Sequence, residues 1–113
     1  MSPSRMAVPD PHLRQILRWC EERIPEQALH QVRVECTVRT SHVTIFEVRA
    51  PLTCDNGSEW TRRPIAQLRH DGLLWRLYGP DRKARWYLLD DVPAHGSPGP
   101  LLAVVGDPAR GLW

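Results

Sequence analysis

Pro64-Ile65-Ala66-Gln67-Leu68-Arg69-His70-Asp71-Gly72-Leu73-Leu74-Trp75-Arg76-Leu77-Tyr78 decides the fold. The run up to His70 and the run from Leu73 both read as strands. Between the two runs stands Asp71-Gly72, a strong short-range signal for a hairpin. Pro64 is tolerable at a first strand position, where no ladder N–H is needed. The stretch therefore predicts antiparallel strands over 64–70 and 73–78. Gly79-Pro80-Asp81-Arg82 supplies a second turn, and 83–89 a further strand.

A register follows from these turns. A two-residue turn sets His70 opposite Leu73, Leu68 opposite Trp75 and Ala66 opposite Leu77. A four-residue turn sets Tyr78 opposite Lys83, Trp75 opposite Trp86 and Leu73 opposite Leu88. Because side chains alternate sides, Ala66, Leu68, Leu73, Trp75, Leu77, Trp86 and Leu88 form the expected core face, with Trp75 buried beside Trp86. The opposite face collects Ile65, Gln67, Arg69, Leu74, Arg76, Tyr78, Arg85, Tyr87 and Leu89.

Upstream, Asp10-Pro11 reads as a helix start, with a capping carboxylate and a proline whose missing N–H costs nothing. Leu13, Ile16, Leu17, Cys20 and Ile24 recur at helical spacing, and Pro25 ends the run. From His30 the period becomes two: Val32, Val34, Cys36 and Val38 alternate with Arg33, Glu35, Thr37 and Arg39. Thr40-Ser41-His42 is a turn, and 43–49 is a β-branched second strand. Residues 51–61 form a loop with a tight turn at Asn56-Gly57. Leu101 to Val105 is a short helix cut by Gly106, and residues 1–9 are a flexible arm. The expected fold is α+β: one domain, 1–113, with an N-terminal helix on an antiparallel meander of about five strands and a short C-terminal helix or turn.

A chain of 113 residues with 42% hydrophobic and 25% charged residues can bury one core. The net charge of +2 is too small to announce a nucleic-acid protein. Lys83 is the only lysine, so the positive charge is arginine, which suits planar contacts to phosphates and carboxylates and is also what a GC-rich genome produces. Five tryptophans against one phenylalanine place indoles at the rim of the core. Cys20, Cys36 and Cys54 lack C-x-x-C spacing, which argues against zinc or a disulfide framework and for a reducing, cytoplasmic compartment. No apolar run is long enough for a membrane span, and the first ten residues have no signal-peptide core.

Glu59-Trp60-Thr61-Arg62-Arg63-Pro64-Ile65-Ala66-Gln67-Leu68-Arg69-His70-Asp71, then Leu74-Trp75-Arg76-Leu77-Tyr78, Asp81-Arg82, Arg85-Trp86-Tyr87, Asp107-Pro108 and Gly111-Leu112-Trp113 form a recognisable set. With Arg23-Ile24-Pro25 and the strand pair after it, they resemble a small bacterial family catalogued as domain of unknown function 3024. The resemblance covers most of the chain and departs only near its end, in the short apolar helix and its flanking glycine and proline. The family carries no assigned activity, cofactor or catalytic residue, so the resemblance implies none here.

Function must be read from the residues. Arg69, Arg76 and Arg85 on three adjacent strands, with Tyr78, Tyr87 and Gln67, make one face where guanidinium forks meet phosphates and rings stack on bases. Arg and Tyr are equally ordinary on a solvated sheet face, or on one covered by the proline-rich tail. The leading expectation is a non-catalytic binding module for nucleic acid or an acidic protein surface. A second reading is a small ribonuclease-like hydrolase, metal-free, using His70 with Arg69 and Arg76. The third is a structural protein that oligomerises, as a homodimer, through the same face. No catalytic motif frames Cys54, which reads as an inert loop thiol. His12, His30, His42, His70 and His95 lack ligand spacing, Glu35, Glu47 and Asp71 make no metal set, and no phosphate-binding glycine loop exists; no metal or cofactor is expected. His70 is read as a hydrogen-bonded structural histidine.

Overall fold

A computed structural model describes residues 8–51, 59–83 and 85–113. Cys54 and the Asn56-Gly57 turn lie outside the described residues. Helix α1 (Asp10–Glu22) is followed by strands β1 (Val32–Val38), β2 (His42–Arg49), β3 (Thr61–His70), β4 (Trp75–Pro80) and β5 (Trp86–Leu88), then helix α2 (Gly99–Val105). The strands form one antiparallel sheet in sequence order, β1-β2-β3-β4-β5. Both helices lie on the same side. The expected architecture of an N-terminal helix on a five-stranded meander, closed by a short C-terminal helix, is the one observed.

The start of α1 differs in detail. Pro9 occupies the cap in an extended conformation, and Asp10 and Pro11 form the first turn without a side-chain capping bond. Val8 is already buried in the core, so residues 8 and 9 belong to the packed structure. Ile16 and Cys20 are buried against the sheet, with Leu13 and Ile24 at the margin. Leu17, expected in the stripe, is exposed. Trp19 turns inward instead, its ring 6.3 Å from that of Trp113.

β1 and β2 follow their alternation. Val38 pairs with Val43, Cys36 with Ile45 and Val34 with Glu47. Between β2 and β3 the ladder breaks beside Ile45 and Phe46: Ala66 pairs with Ile45 but Pro64 with Phe46, leaving Ile65 as the extra residue. A proline has no N–H for the ladder, and a bulge next to it is the usual accommodation. Ile65 and Ala66 both end fully buried in the core, so Ile65 does not sit on the outer face as expected.

The first hairpin of the meander has a four-residue loop, 71–74, rather than a two-residue one. His70 pairs with Trp75, Leu68 with Leu77 and Gln67 with Tyr78. The cause is the Asp71 side chain, whose Oδ1 accepts the backbone N–H groups of Leu73 (2.9 Å) and Leu74 (2.8 Å) while Gly72 takes φ of 100°. The shift is two residues, an even number, so the faces of β3 and β4 stay as expected. Leu73 is the exception: it leaves the core for the loop tip and is 76% exposed.

The second turn shifts the register by an odd number. Tyr78 pairs with Leu88, Gly79 with Tyr87 and Pro80 with Trp86. Asp81 holds this loop open by accepting the N–H groups of Lys83 and Arg85. A displacement of odd parity turns every side chain of β5 over. Trp86 and Leu88 therefore lie on the outer face, and Trp75 is buried without Trp86. Tyr87 and Leu89 move to the helix side, where a Cβ at Gly79 would stand 3.5 Å from each.

The core between helices and sheet contains Ile16, Val34, Val43, Ile45, Leu68, Trp75, Leu77, Leu101, Leu102 and Val105. Fully burying side chains of this size stabilises by about 1.5–3 kcal/mol each before entropy is subtracted. Trp75 has no exposed surface, and its indole N–H donates to His12 Nδ1 at 2.9 Å. Cys20 on α1 meets Cys36 on β1, and both thiols are free. The hydrogen bond with Cys36, and burial, push the Cys20 thiol well above its ordinary range.

Candidate functional site

With both helices on one side, the other face of the sheet is built from alternate residues of every strand. β1 contributes Arg33, Glu35 and Thr37; β2 contributes His42, Thr44, Phe46 and Val48; β3 contributes Arg62, Pro64, Gln67 and Arg69. β4 adds Arg76 and Tyr78, and β5 adds Trp86 and Leu88. One row crosses all five strands: Thr37, Thr44, Gln67, Tyr78 and Leu88.

Guanidinium groups stand over aromatic rings across this surface. Arg69 stands 4.0 Å from the centre of the Tyr78 ring, Arg62 4.1 Å from that of Phe46, and Arg33 4.6 Å from that of Trp60. Each such contact is worth about 0.5–2 kcal/mol. Arg69 is fixed further by donating to Gln67 Oε1 at 2.6 Å, and Gln67 donates in turn to Thr44 at 2.8 Å. Arg33 also donates to the Leu29 carbonyl at 3.0 Å. These are guanidiniums held in place by side-chain chemistry encoded on neighbouring strands.

The electrostatics agree. His42 pairs with Arg69 in the ladder, and its imidazolium is disfavoured by burial and then by the charges of Arg69 and Arg39. Glu35 is the one carboxylate within the described face. At the rim, Asp71 neutralises Arg76. The bonds that Asp71 accepts from Leu74, Arg76 and Leu73 hold its carboxyl far below the usual range. Among the described residues no pocket opens on the molecule.

Of the residues expected to act together, Gln67, Arg69, Arg76 and Tyr78 share this face. Arg85 and Tyr87 do not join them. Arg85 precedes β5, its guanidinium bound to Asp81, and Tyr87 projects to the helix side because the second turn reversed the parity. In their place stand Arg33, Trp60, Phe46, Arg62 and Trp86. Extending the alternation of β1 and β2 across the bulge would have found the first four; the sequence of the second turn gave no sign of the fifth.

The set offered for hydrolysis is divided by the sheet. Arg69 and Arg76 pair on the outer face, while His70 and Trp75 pair on the helix side. There His70 is buried, accepts the Gly72 N–H at 3.3 Å, and packs 4.8 Å from Trp75 and 6.1 Å from His12 between ring centres. Burial, and then the charge of His12, lower its pKa, the mark of a histidine kept neutral inside a fold. Glu47 is also buried and spoken for: Arg49 and Arg63 donate to it, as does Trp113 Nε1 at 2.9 Å. No group of three or more His, Cys, Asp or Glu gathers among the described residues.

Among the described residues these features define a class: a helix-backed antiparallel sheet whose face away from the helices is aromatic and cationic. A family model described as Domain of unknown function (DUF3024) matches residues 7–113, and the chain belongs to that family. Comparison with curated proteins and with solved structures gives no match. Among the described residues no helix is long and apolar enough to cross a membrane.

Proposed function

We propose that the protein is a non-catalytic module that binds single-stranded nucleic acid on the outer face of its sheet. The observation that carries this reading is the set of stacked pairs, Arg33 with Trp60, Arg62 with Phe46 and Arg69 with Tyr78, on the side of the sheet away from both helices. A guanidinium held over a ring can add an unstacked base to the stack and direct its N–H groups to a phosphate. Arginines interleaved with aromatic rings on an open sheet suit splayed, unstacked bases. Trp86 and Leu88 extend the apolar part of the surface, and Gln67 and Thr44 lie beneath it as an ordered polar floor. Free Cys20 and Cys36 thiols fit a reducing, cytoplasmic setting in a bacterial cell.

The test is an electrophoretic shift with single-stranded and duplex oligonucleotides, RNA and DNA, at two salt concentrations. The expected result is a shift with single strands that weakens at higher salt. Arg62→Ala and Arg69→Ala should each cost about 1–3 kcal/mol of binding, the scale of a stacked base or a positioned guanidinium. Arg85→Ala, which touches a residue off the face, should bind like the parent. No shift at low salt, with retention on an acidic polypeptide instead, would replace nucleic acid by an acidic protein surface as the ligand.

A further inference from the structure

Strand β1 forms one edge of the sheet, and the bonds at its two ends fix which groups face outward. Arg39 N–H donates to the His42 carbonyl at 2.8 Å, and Ala50 N–H to the Gln31 carbonyl at 2.8 Å. Odd-numbered residues of β1 therefore spend their backbone groups on β2. In an antiparallel ladder the alternate residues point the other way. The N–H and C=O groups of Val32, Val34, Cys36 and Val38 thus form an outward row, and no backbone bond reaches that row among the described residues.

Edges of this length are normally blunted by charged side chains, lysine above all, or by a proline, a bulge, brevity or a covering segment. β5, at the opposite edge, is only three residues long. β1 runs for seven residues with an unbroken register and contains neither lysine nor proline. On its helix side, Val38 leaves 45% of its surface exposed.

We propose that β1 pairs antiparallel with β1 of a second copy of this chain, about a two-fold axis through Thr37. The charge pattern of the strand selects both partner and register. Glu35 and Arg39 flank Thr37 at equal distance, and neither side chain has a hydrogen-bond or ion-pair partner among the described residues. The axis through Thr37 sets Glu35 opposite the partner's Arg39, twice over by symmetry, and Thr37 opposite the partner's Thr37. Cross-strand pairs of both kinds are favourable. Cys36 and Val38 then exchange backbone bonds with the partner's Val38 and Cys36, which covers the exposed valine. An axis through Glu35 would confront that carboxylate with its own copy, and an axis through Cys36 would set Arg33 against the partner's Arg39. An axis through Val34 would call on Arg33, already bound to Trp60 and the Leu29 carbonyl. The interface is isologous and closed, and it joins the two outer faces side by side through their β1 margins alone.

The experiment is a concentration series of the full chain by sedimentation or light scattering, with reductant present so that Cys36 cannot link copies. The expected mass rises from the 13.0 kDa of one chain towards twice that value. Arg39→Glu and Glu35→Arg should each give monomers, with circular dichroism showing that both are folded. The double variant Glu35→Arg/Arg39→Glu restores the opposite charges and should recover the dimer. A parent that stays monomeric at every concentration would overturn the proposal. So would a dimer indifferent to the single exchanges, or a folded double variant that fails to recover. No nucleic acid enters this test, so its outcome is separate from that of the binding reading.

Discussion

Glu47 enters a largely apolar neighbourhood as a carboxylate because Arg49, Arg63 and Trp113 satisfy its oxygens. Burial alone would raise its pKa, but the bonds from Arg49, Trp113 and Arg63 outweigh burial and hold it below the ordinary 4.5. A carboxyl lowered in the folded state contributes stability that is present above 4.5 and lost as pH falls through the folded value. Glu47→Gln should cost about 1–3 kcal/mol at neutral pH and flatten the acid limb of a stability-against-pH curve from urea unfolding. His70 has the same sign for a different reason. Its folded pKa lies below 6.5, so the unfolded chain binds the proton first, and stability falls as pH drops from 6.5 towards the folded value. His12→Ala would leave the buried Trp75 N–H without its acceptor and should cost about 1–3 kcal/mol, whereas His12→Gln, which keeps an acceptor, should lose less. The structural role of His70 was legible from its place at the core-side edge of a hairpin. The partnership of Glu47 with Trp113 was not, since nothing local connects residues so far apart.

Elements were legible wherever a pattern runs long enough to fix its own phase. α1, β1 and β2 carry theirs over about three turns or seven residues, and the structure departs from them at the ends and at Leu17, whose place Trp19 takes. Turns were harder, because their length depends on what one side chain does. Asp71-Gly72 has the composition of a two-residue turn, yet the carboxylate binds Leu73 and Leu74 and lengthens the loop to four. The even shift preserved the faces of β3 and β4. The odd shift at the second turn reversed β5, and Trp86-Tyr87-Leu88 has no polar residue to reveal which side is inward. Gly72→Ala places a Cβ at φ of 100° and should destabilise by about 1 kcal/mol, read as a lower urea midpoint at unchanged slope. Ile65→Ala is a sharper check on the bulge. A fully buried extra residue should cost about 2–5 kcal/mol, whereas a side chain on the outer face would cost well under 1 kcal/mol.

For the molecule as a whole, the helices divide the sheet into a packed side and a cationic, aromatic side, and the binding reading depends on that division. Alternation in the central strands was enough to anticipate Gln67, Arg69, Arg76 and Tyr78 together. The bulge and the second turn decided the remaining members, and both are properties of the folded ladder. The tryptophans report the division directly, because Trp60 and Trp86 belong to the outer side whereas Trp19, Trp75 and Trp113 belong to the packed one. Two-dimensional NMR of the indole N–H signals, recorded while a single-stranded oligonucleotide is titrated at low salt, reads all of them at once. The outer pair should shift progressively while the packed three hold their positions. Signals that stay still throughout, or movement confined to the packed three, would contradict a nucleic-acid-binding outer face.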